Sequence, residues 1–341
     1  MTDKGNWLAR TWHQRGLAAC LLWPLSLLYG QISGLQRRLY QTGILKTERC
    51  SVPVIVVGNV VAGGAGKTPL VIALTKHLQQ QGLQVGVVSR GYGRQGKSCL
   101  EVLENTPVSQ SGDEPALIFN AIKRADFSAP VFVANRRIDA VRTLLARYPV
   151  TQVIISDDGL QHRSLARDVE IIVFDDRGTG NGWLLPAGPL RESWHPGHKQ
   201  ALVLHTGQSP AFGGFVSTRR LADHAQAADG SRVLLDDLKH QPLIALAGIA
   251  NPDAFFDMLK ARGLQLTRTI SLPDHFDFLQ YTVPAQAGVT VLCTEKDAVK
   301  LFKLTASAAY RLLAVPLEFA AEPAFLNALD DLLAPLLRQP S

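Results

Sequence analysis

The sequence predicts an α/β protein: a P-loop, doubly wound, mostly parallel sheet, a second and smaller α/β domain, and an N-terminal membrane-associated helix. Three observations lead there. From residue 52 onward short β-branched apolar runs alternate with amphipathic stretches, as buried parallel strands separated by helices do. A glycine-rich turn carrying Lys67 and Thr68 lies between one such run and the helical pattern after it. The alternation weakens between residues 206 and 239 and then resumes, which marks a second unit.

The first element is N-terminal. Leu17 to Tyr29 reads LAACLLWPLSLLY, in which only Ser26 is clearly polar. That run is shorter than the roughly 20 apolar residues a bilayer span needs, and it contains Pro24. Trp7, Trp12, Trp23 and Tyr29, with Arg10 and Arg15 before the run and Arg37 and Arg38 after it, suit a helix lying in a membrane interface. The plainer reading is an amphipathic helix packed on the protein's own core. Gln31 to Tyr40 offers no convincing A-x-A cleavage site, so removal as a signal peptide is not expected.

The runs at 52–57, 85–89, 131–134, 153–155, 171–174 and 201–204 are the expected strands of the first domain, with helices over 69–81, 114–124 and 136–147. The second alternation comprises strands at 243–246 and 289–293 and helices over 252–262, closed by Gly263, and 297–304. An amphipathic helix over 322–337 follows. The expected division is an interfacial segment 1–40, a P-loop domain 41–215, a linker 216–240 and a C-terminal domain 241–341.

Composition agrees. The 341 residues, 46% hydrophobic and 19% charged, fit about two domains of roughly 150 residues and exclude disorder. Lys and Arg number 35 against 29 Asp and Glu, a formal charge of +6 that favours anionic partners such as phosphates or acidic lipid without specifying nucleic acid. Cys20, Cys50, Cys99 and Cys293 are widely separated, so neither a disulfide framework nor a structural zinc site is expected.

The strongest chemical signal is VIVVGNVVAGGAGKTPLVIAL. A strand ends at Gly58 and a helix begins near Pro69, with Val61, Ala62, Gly63, Gly64, Ala65, Gly66, Lys67 and Thr68 at the turn between. Glycines let backbone N–H groups curl around phosphates, the lysine reaches the outer phosphates, and the threonine hydroxyl can ligate Mg²⁺. Val61 stands where G-x-x-x-x-G-K-[ST] has its first glycine, so this is a compact variant of the loop. A P-loop also needs an acid at the end of a neighbouring strand, and VIISDDG supplies Asp157 and Asp158. Asp175 and Asp176 have the same form, but read better as turn residues.

Other polar clusters flank expected strand and helix ends. Arg90-Gly91-Tyr92-Gly93-Arg94 follows a strand at the carboxyl edge, where α/β folds bind ligands, and suits a phosphate or a solvated loop. Ser111-Gly112-Asp113-Glu114-Pro115 opens a helix, and capping alone would account for Asp113. The segment 186–192, PAGPLRE, is irregular backbone ending in the charged pair Arg191 and Glu192.

Together these segments closely resemble the tetraacyldisaccharide 4'-kinase family, the lipid A kinases. The matching stretches are GNVVAGGAGKTP (58–69), RGYGR (90–94), GDEP (112–115), DDGLQHR (157–163), PAGPLRE (186–192), GIANP (248–252), LPDHF (272–276) and TEKDAVK (294–300). The resemblance implies ATP-dependent phosphorylation of the 4'-hydroxyl of a tetraacylated glucosamine disaccharide 1-phosphate, giving lipid IVA at the cytoplasmic face of the bacterial inner membrane. It implies two α/β/α domains with the site in the cleft between them, ATP and Mg²⁺ as cofactors, and the lipid and the membrane surface as partners. No nucleic-acid or protein partner is implied.

Residue by residue, the resemblance places Lys67 and Thr68 on the phosphates and Mg²⁺, Asp157 and Asp158 in the acidic role, and Glu192 near the metal. It makes Asp113 the base for the sugar hydroxyl, supported by His275. Arg90, Tyr92, Arg94, Gln161, His162 and Arg191 are the expected substrate contacts. Two other nucleotide-binding classes fit less well. A membrane-bound regulatory ATPase would carry a lysine where Ala62 stands, and a GTPase would need N-K-x-D or T-K-x-D, whereas Thr294-Glu295-Lys296-Asp297 puts the lysine one place late.

Overall fold

A computed structural model describes residues 11–124, 127–194, 201–279, 281–284, 288–304 and 310–338. Trp7 and Arg10 lie outside that set. In chain order the elements of the first half are α1 (Leu17–Gln41), β1 (Val54–Gly58), α2 (Lys67–Gln80), β2 (Val85–Ser89), β3 (Leu100–Glu101), α3 (Val108–Ser111), α4 (Asp113–Arg124), β4 (Val131–Val133) and α5 (Arg137–Arg147). Then come β5 (Val153–Asp157), β6 (Val169–Phe174), β7 (Ala201–His205), β8 (Phe215–Leu221), β9 (His224–Gln226) and β10 (Arg232–Leu234). The chain continues with β11 (Leu243–Ala247), α6 (Pro252–Ala261), β12 (Leu266–Ser271), β13 (Thr290–Thr294), α7 (Glu295–Leu304), β14 (Arg311–Val315), β15 (Leu317–Ala321) and α8 (Pro323–Leu337).

Nine strands form the larger sheet in the order β15-β8-β7-β6-β1-β5-β2-β4-β3. It is parallel from β8 to β4, with β15 and β3 antiparallel at its edges. Strand β1 is buried along its whole length, and its alternate side chains feed two cores, as a strand covered on both faces requires. Ile55 and Val57 join Leu70, Leu74 and Leu78 of α2, whereas Val54 and Val56 join Ile138, Val141 and Leu144 of α5. The second sheet has the order β10-β9-β14-β13-β11-β12, with β14, β13, β11 and β12 parallel. The doubly wound sheet with a second α/β unit is thus present.

The boundaries differ from the expected ones. Residues 216–240 are no linker: β8 belongs to the larger sheet, while β9 and β10 belong to the smaller. The C-terminal segment returns to the first domain, where β15 pairs with β8 and α8 buries Phe325, Leu329 and Leu333 in the core under α2. An amphipathic pattern reports that one helix face is buried, not which core receives it. The chain therefore crosses between domains twice, at neighbouring points joined by a hydrogen bond from Ala222 N–H to the Pro316 carbonyl at 2.9 Å.

Helix α1 spans 25 residues and so extends well past the 13-residue apolar run; unlike that run alone, the whole helix is long and apolar enough to cross a membrane by length and composition. One stripe docks on the protein. Ala19 and Ser26 are buried, Ser26 Oγ donates to the Leu184 carbonyl (2.8 Å), Tyr29 Oη to that of Arg191 (2.8 Å), and Arg37 pairs with Glu192 (2.8 Å). The opposite stripe, Leu17, Leu21, Leu25, Leu28, Ile32 and Leu35, recurs every three or four residues and is exposed. It presents an apolar ridge about 27 Å long at roughly 1.5 Å per residue.

Candidate active site

The phosphate loop follows from β1. Beyond Gly58 the chain turns back over the strand end and enters α2 through Gly66, whose φ of +83° is the left-handed conformation glycine adopts without strain. Every carbonyl from Val61 to Ala65 is held by a side chain. Asn59 Nδ2 donates to those of Val61 and Gly63, Arg177 to those of Ala62 (3.2 Å) and Gly64 (3.1 Å), and Thr206 Oγ1 to that of Ala65 (2.9 Å). With its carbonyls engaged, the loop offers N–H groups to an anion. Arg177 is itself fixed by Asp175, at 2.7 to 3.0 Å. Lys67 is buried, with Nζ 3.0 Å from Asn59 Oδ1 and 3.4 Å from Asp158 Oδ1.

Strand β5 runs parallel to β1 and delivers Asp157 and Asp158 beside the loop. Asp157 is fully buried. Its Oδ2 accepts from Ser89 Oγ at 3.2 Å, while Oδ1 has no hydrogen-bond partner. Burial, then Glu114 and Asp158, push its carboxyl up, opposed by Lys67 and Arg137. Asp158, at φ +47°, faces Lys67 and Arg191; their charges, with that of Arg137, outweigh burial and hold its carboxyl below the usual range. Arg137, which the sequence reading missed, is buried behind the pair and donates to both backbone carbonyls at 3.0 Å. Burial lowers its pKa to about 10, resisted by the two aspartates. His162 sits against it and is pushed down to about 4 by burial, then by Arg137 and Arg90, so it is neutral near pH 7.

The other side of the cleft gathers residues from both domains. Ser89 leads into Gly91, where a Cβ would stand 2.4 Å from the Ser111 carbonyl, so the 90–94 loop packs directly on the turn before α4. That turn presents Asp113, the first residue of α4. His275, from the second domain, places Nδ1 3.0 Å from Asp113 Oδ2, and its ring lies 5.6 Å from that of Tyr92. Lys300 of α7 places Nζ 2.6 Å from the same oxygen. Burial would raise the Asp113 carboxyl, but the hydrogen bonds from His275 and Lys300 and the Lys300 charge prevail, leaving it below its ordinary value. His275 has φ +59°. It and Asp158 are the non-glycine residues with positive φ among those described, and such strain concentrates at functional sites.

Glu192 faces the base of α1. Its Oε2 accepts from Arg37 (2.8 Å) and Arg163 (2.6 Å), and its Oε1 from Gln161 (2.9 Å). These residues, with Tyr29, Ser33, Arg38 and Arg191, line a cavity of about 460 Å³ between α1 and the 184–193 segment. Of the expected substrate contacts, Gln161 and Arg191 line this cavity, Tyr92 covers His275, and Arg90 and His162 lie near Arg137. Arg94 instead donates to the Ser98 carbonyl within its own loop.

Comparison with known proteins matches residues 18–334 to a family model described as tetraacyldisaccharide-1-P 4'-kinase. A tetraacyldisaccharide 4'-kinase of Polaromonas naphthalenivorans is 64% identical over 97% of this chain and 96% of its own. One from a Polaromonas species, strain JS666, is 66% identical over 97% of each chain. The Aquifex aeolicus kinase LpxK, crystallised in complex with ATP, superposes with a TM-score of 0.78 at 29% identity, covering 94% of this chain and 99% of that one. A phosphate loop and an acidic strand end in one domain, a carboxylate–histidine pair closed by the other, and full-length similarity to such enzymes together place this chain in the tetraacyldisaccharide 4'-kinase family.

Proposed function

We infer that the chain transfers the γ-phosphate of ATP to the 4'-hydroxyl of tetraacyldisaccharide 1-phosphate, forming lipid IVA in lipid A biosynthesis. The observation that carries the mechanism is the meeting of Asp113 with His275 across the cleft, at the start of the helix whose next residue, Glu114, acts on Asp157. An alcohol is a weak nucleophile, and a positioned proton acceptor contributes about 10²- to 10⁴-fold. Asp113 and His275 act here as one unit. Asp113 is the base for the sugar hydroxyl in this reading, with His275 Nδ1 and Lys300 Nζ both on its Oδ2 to orient the carboxylate.

Lys67 and the N–H groups of residues 63–68 hold the β- and γ-phosphates. Mg²⁺ fits the remaining donors: Asp157 Oδ1 is buried and unpartnered, and Thr68 stands at the start of α2. Among the described residues no three His, Cys, Asp or Glu gather around one point, so the ion would be shared with phosphates and water. When bound it neutralises charge developing between the phosphates. Asp158 pairs with Lys67 and Arg191 instead, and Glu192 steadies the arginines around the cavity against α1. That cavity suits the phosphorylated sugar headgroup, with the acyl chains following the apolar ridge of α1 into the bilayer. We place the protein as a peripheral enzyme at the cytoplasmic face of the inner membrane, where ATP is present.

The decisive experiment measures transfer of labelled γ-phosphate from ATP to a tetraacyl disaccharide 1-phosphate in mixed micelles. Wild type is expected to transfer, and Asp113→Ala to lose at least about a hundredfold. ATP hydrolysis with no phosphorylated lipid would overturn the assignment.

A further inference from the structure

Helix α7 carries Lys296 and Lys300 one turn apart on a single face, and that face is turned toward α4 across the cleft. Lys296 Nζ lies 2.8 Å from Asp274 Oδ1 and 3.4 Å from His275 Nε2. Lys300 Nζ reaches further, to Asp113 Oδ2 at 2.6 Å, and also donates to the carbonyl of Phe276 at 3.0 Å. The ion pair is largely desolvated: the two side chains are 19% and 11% exposed. Such a pair is held far more firmly than an exposed one, and a lysine gives up this much water only when its charge is matched.

The two bonds of Lys300 fall on either side of His275. One ends on the oxygen that also meets His275 Nδ1, and the other on the backbone of the residue next to His275. We propose that Lys300 is a positioning residue for phosphoryl transfer: its ammonium clamps Asp113 Oδ2 and the Phe276 carbonyl together, and so sets the depth and angle at which the His275 imidazole meets Asp113. The proposal rests on the reading of Asp113 and His275 as the proton-accepting pair. It gives the second domain two separate attachments to one carboxylate, so that closure of the cleft and alignment of the pair are a single event.

The charges facing the pair are Lys300 and Lys296 from α7 and Asp274 from the loop before His275; Glu114, next along α4, acts on Asp157 and Arg137 instead. Removing the Lys300 ammonium removes a positive charge from the pair. Proton affinity then rises whether the proton sits on Asp113 or on His275, and the acid limb of the kcat profile moves to higher pH. Loss of the charge moves the limb by itself, so positioning is read from Lys300→Arg, which keeps the charge with a different reach: its kcat should stay several-fold below wild type while the limb returns.

The test uses the full chain with Lys300→Met and Lys300→Arg, read in two ways. The first is kcat and KM against pH in mixed micelles. The second is an NMR titration of the His275 imidazole in the enzyme without substrate, assigned with His275→Gln. Lys300→Met should lower kcat by about tenfold or more, leave KM for ATP within about twofold, and raise both the acid limb and the imidazole midpoint by about half a pH unit or more. Lys300→Arg, which keeps the charge, should return both midpoints to the wild-type value. Wild-type midpoints in Lys300→Met, whatever its rate, or wild-type kcat in Lys300→Arg, would overturn the proposal. Should Lys300→Met not fold, Lys300→Gln carries the same expectation. The NMR arm needs no turnover, so it distinguishes failure of the clamp from failure of the kinase reading, which wild-type transfer decides.

Discussion

The two sides of the cleft are held in opposite ways. The phosphate loop is braced within its own domain by Asn59, Arg177 and Thr206, and each brace survives if the second domain moves away. Asp113 depends on His275 and Lys300, both from the second domain, and loses both donors when the domains part. The phosphate-loop side is therefore held within one domain, whereas the Asp113 side is held only where the two domains meet. This division suits an enzyme that must load a soluble nucleotide and a lipid at different surfaces and react only when both are present.

The largest effects should come from breaking each side in turn, with different signatures. Lys67→Ala is expected to lower kcat/KM by about 10²- to 10³-fold and to weaken ATP binding in calorimetry. Asp113→Ala should cost as much or more in kcat while calorimetric ATP affinity stays within about twofold. Equal loss of ATP affinity in both variants would erase the distinction between the two sides.

A smaller effect tests whether the lipid arrives along α1. Replacing Leu21 and Leu28 together by Glu, on the exposed ridge, should weaken partitioning to anionic vesicles roughly a hundredfold, since each buried leucine contributes about 1.5 kcal/mol. ATP binding should not change. Flotation with vesicles measures the first and calorimetry the second; unchanged flotation would remove α1 from the membrane contact.

The smallest expected change sharpens the nucleotide side. Arg177 reaches two loop carbonyls and is 34% exposed, so Arg177→Ala should raise KM for ATP by about tenfold and leave kcat and the melting temperature nearly unchanged. A fall in kcat alone would show that the loop does not need this brace to receive ATP.

Those contrasts also explain what could be read from residues alone. The phosphate loop was legible because strand, glycine turn, lysine and helix are consecutive, and Asp157 because it ends a buried run. Arg137 and Arg177 were not, since each acts on a distant segment and neither has a local pattern beyond an ordinary charged residue; Lys300 ends the TEKDAVK stretch, but its partner Asp113 lies far away in sequence and the contact has no local signature. Asp113 and His275 could be paired only through the resemblance, being 162 positions apart. Periodicity likewise found the helix over 323–337 and could not say that it serves the first core.

That return of the chain bears on the order of assembly. The strands of the smaller sheet are contiguous from β9 to β14, so on a growing chain this unit acquires all its partners before β15 exists. The nucleotide domain, made first, lacks the β15 edge and the Phe325, Leu329 and Leu333 packing under α2 until synthesis reaches residues 317–337. Apolar surface and an unpaired strand edge stay open in the meantime, the condition under which nascent chains aggregate or engage chaperones. The part that binds nucleotide is thus the last to become complete, and truncation within α8 would damage the P-loop domain rather than the domain that precedes it in sequence.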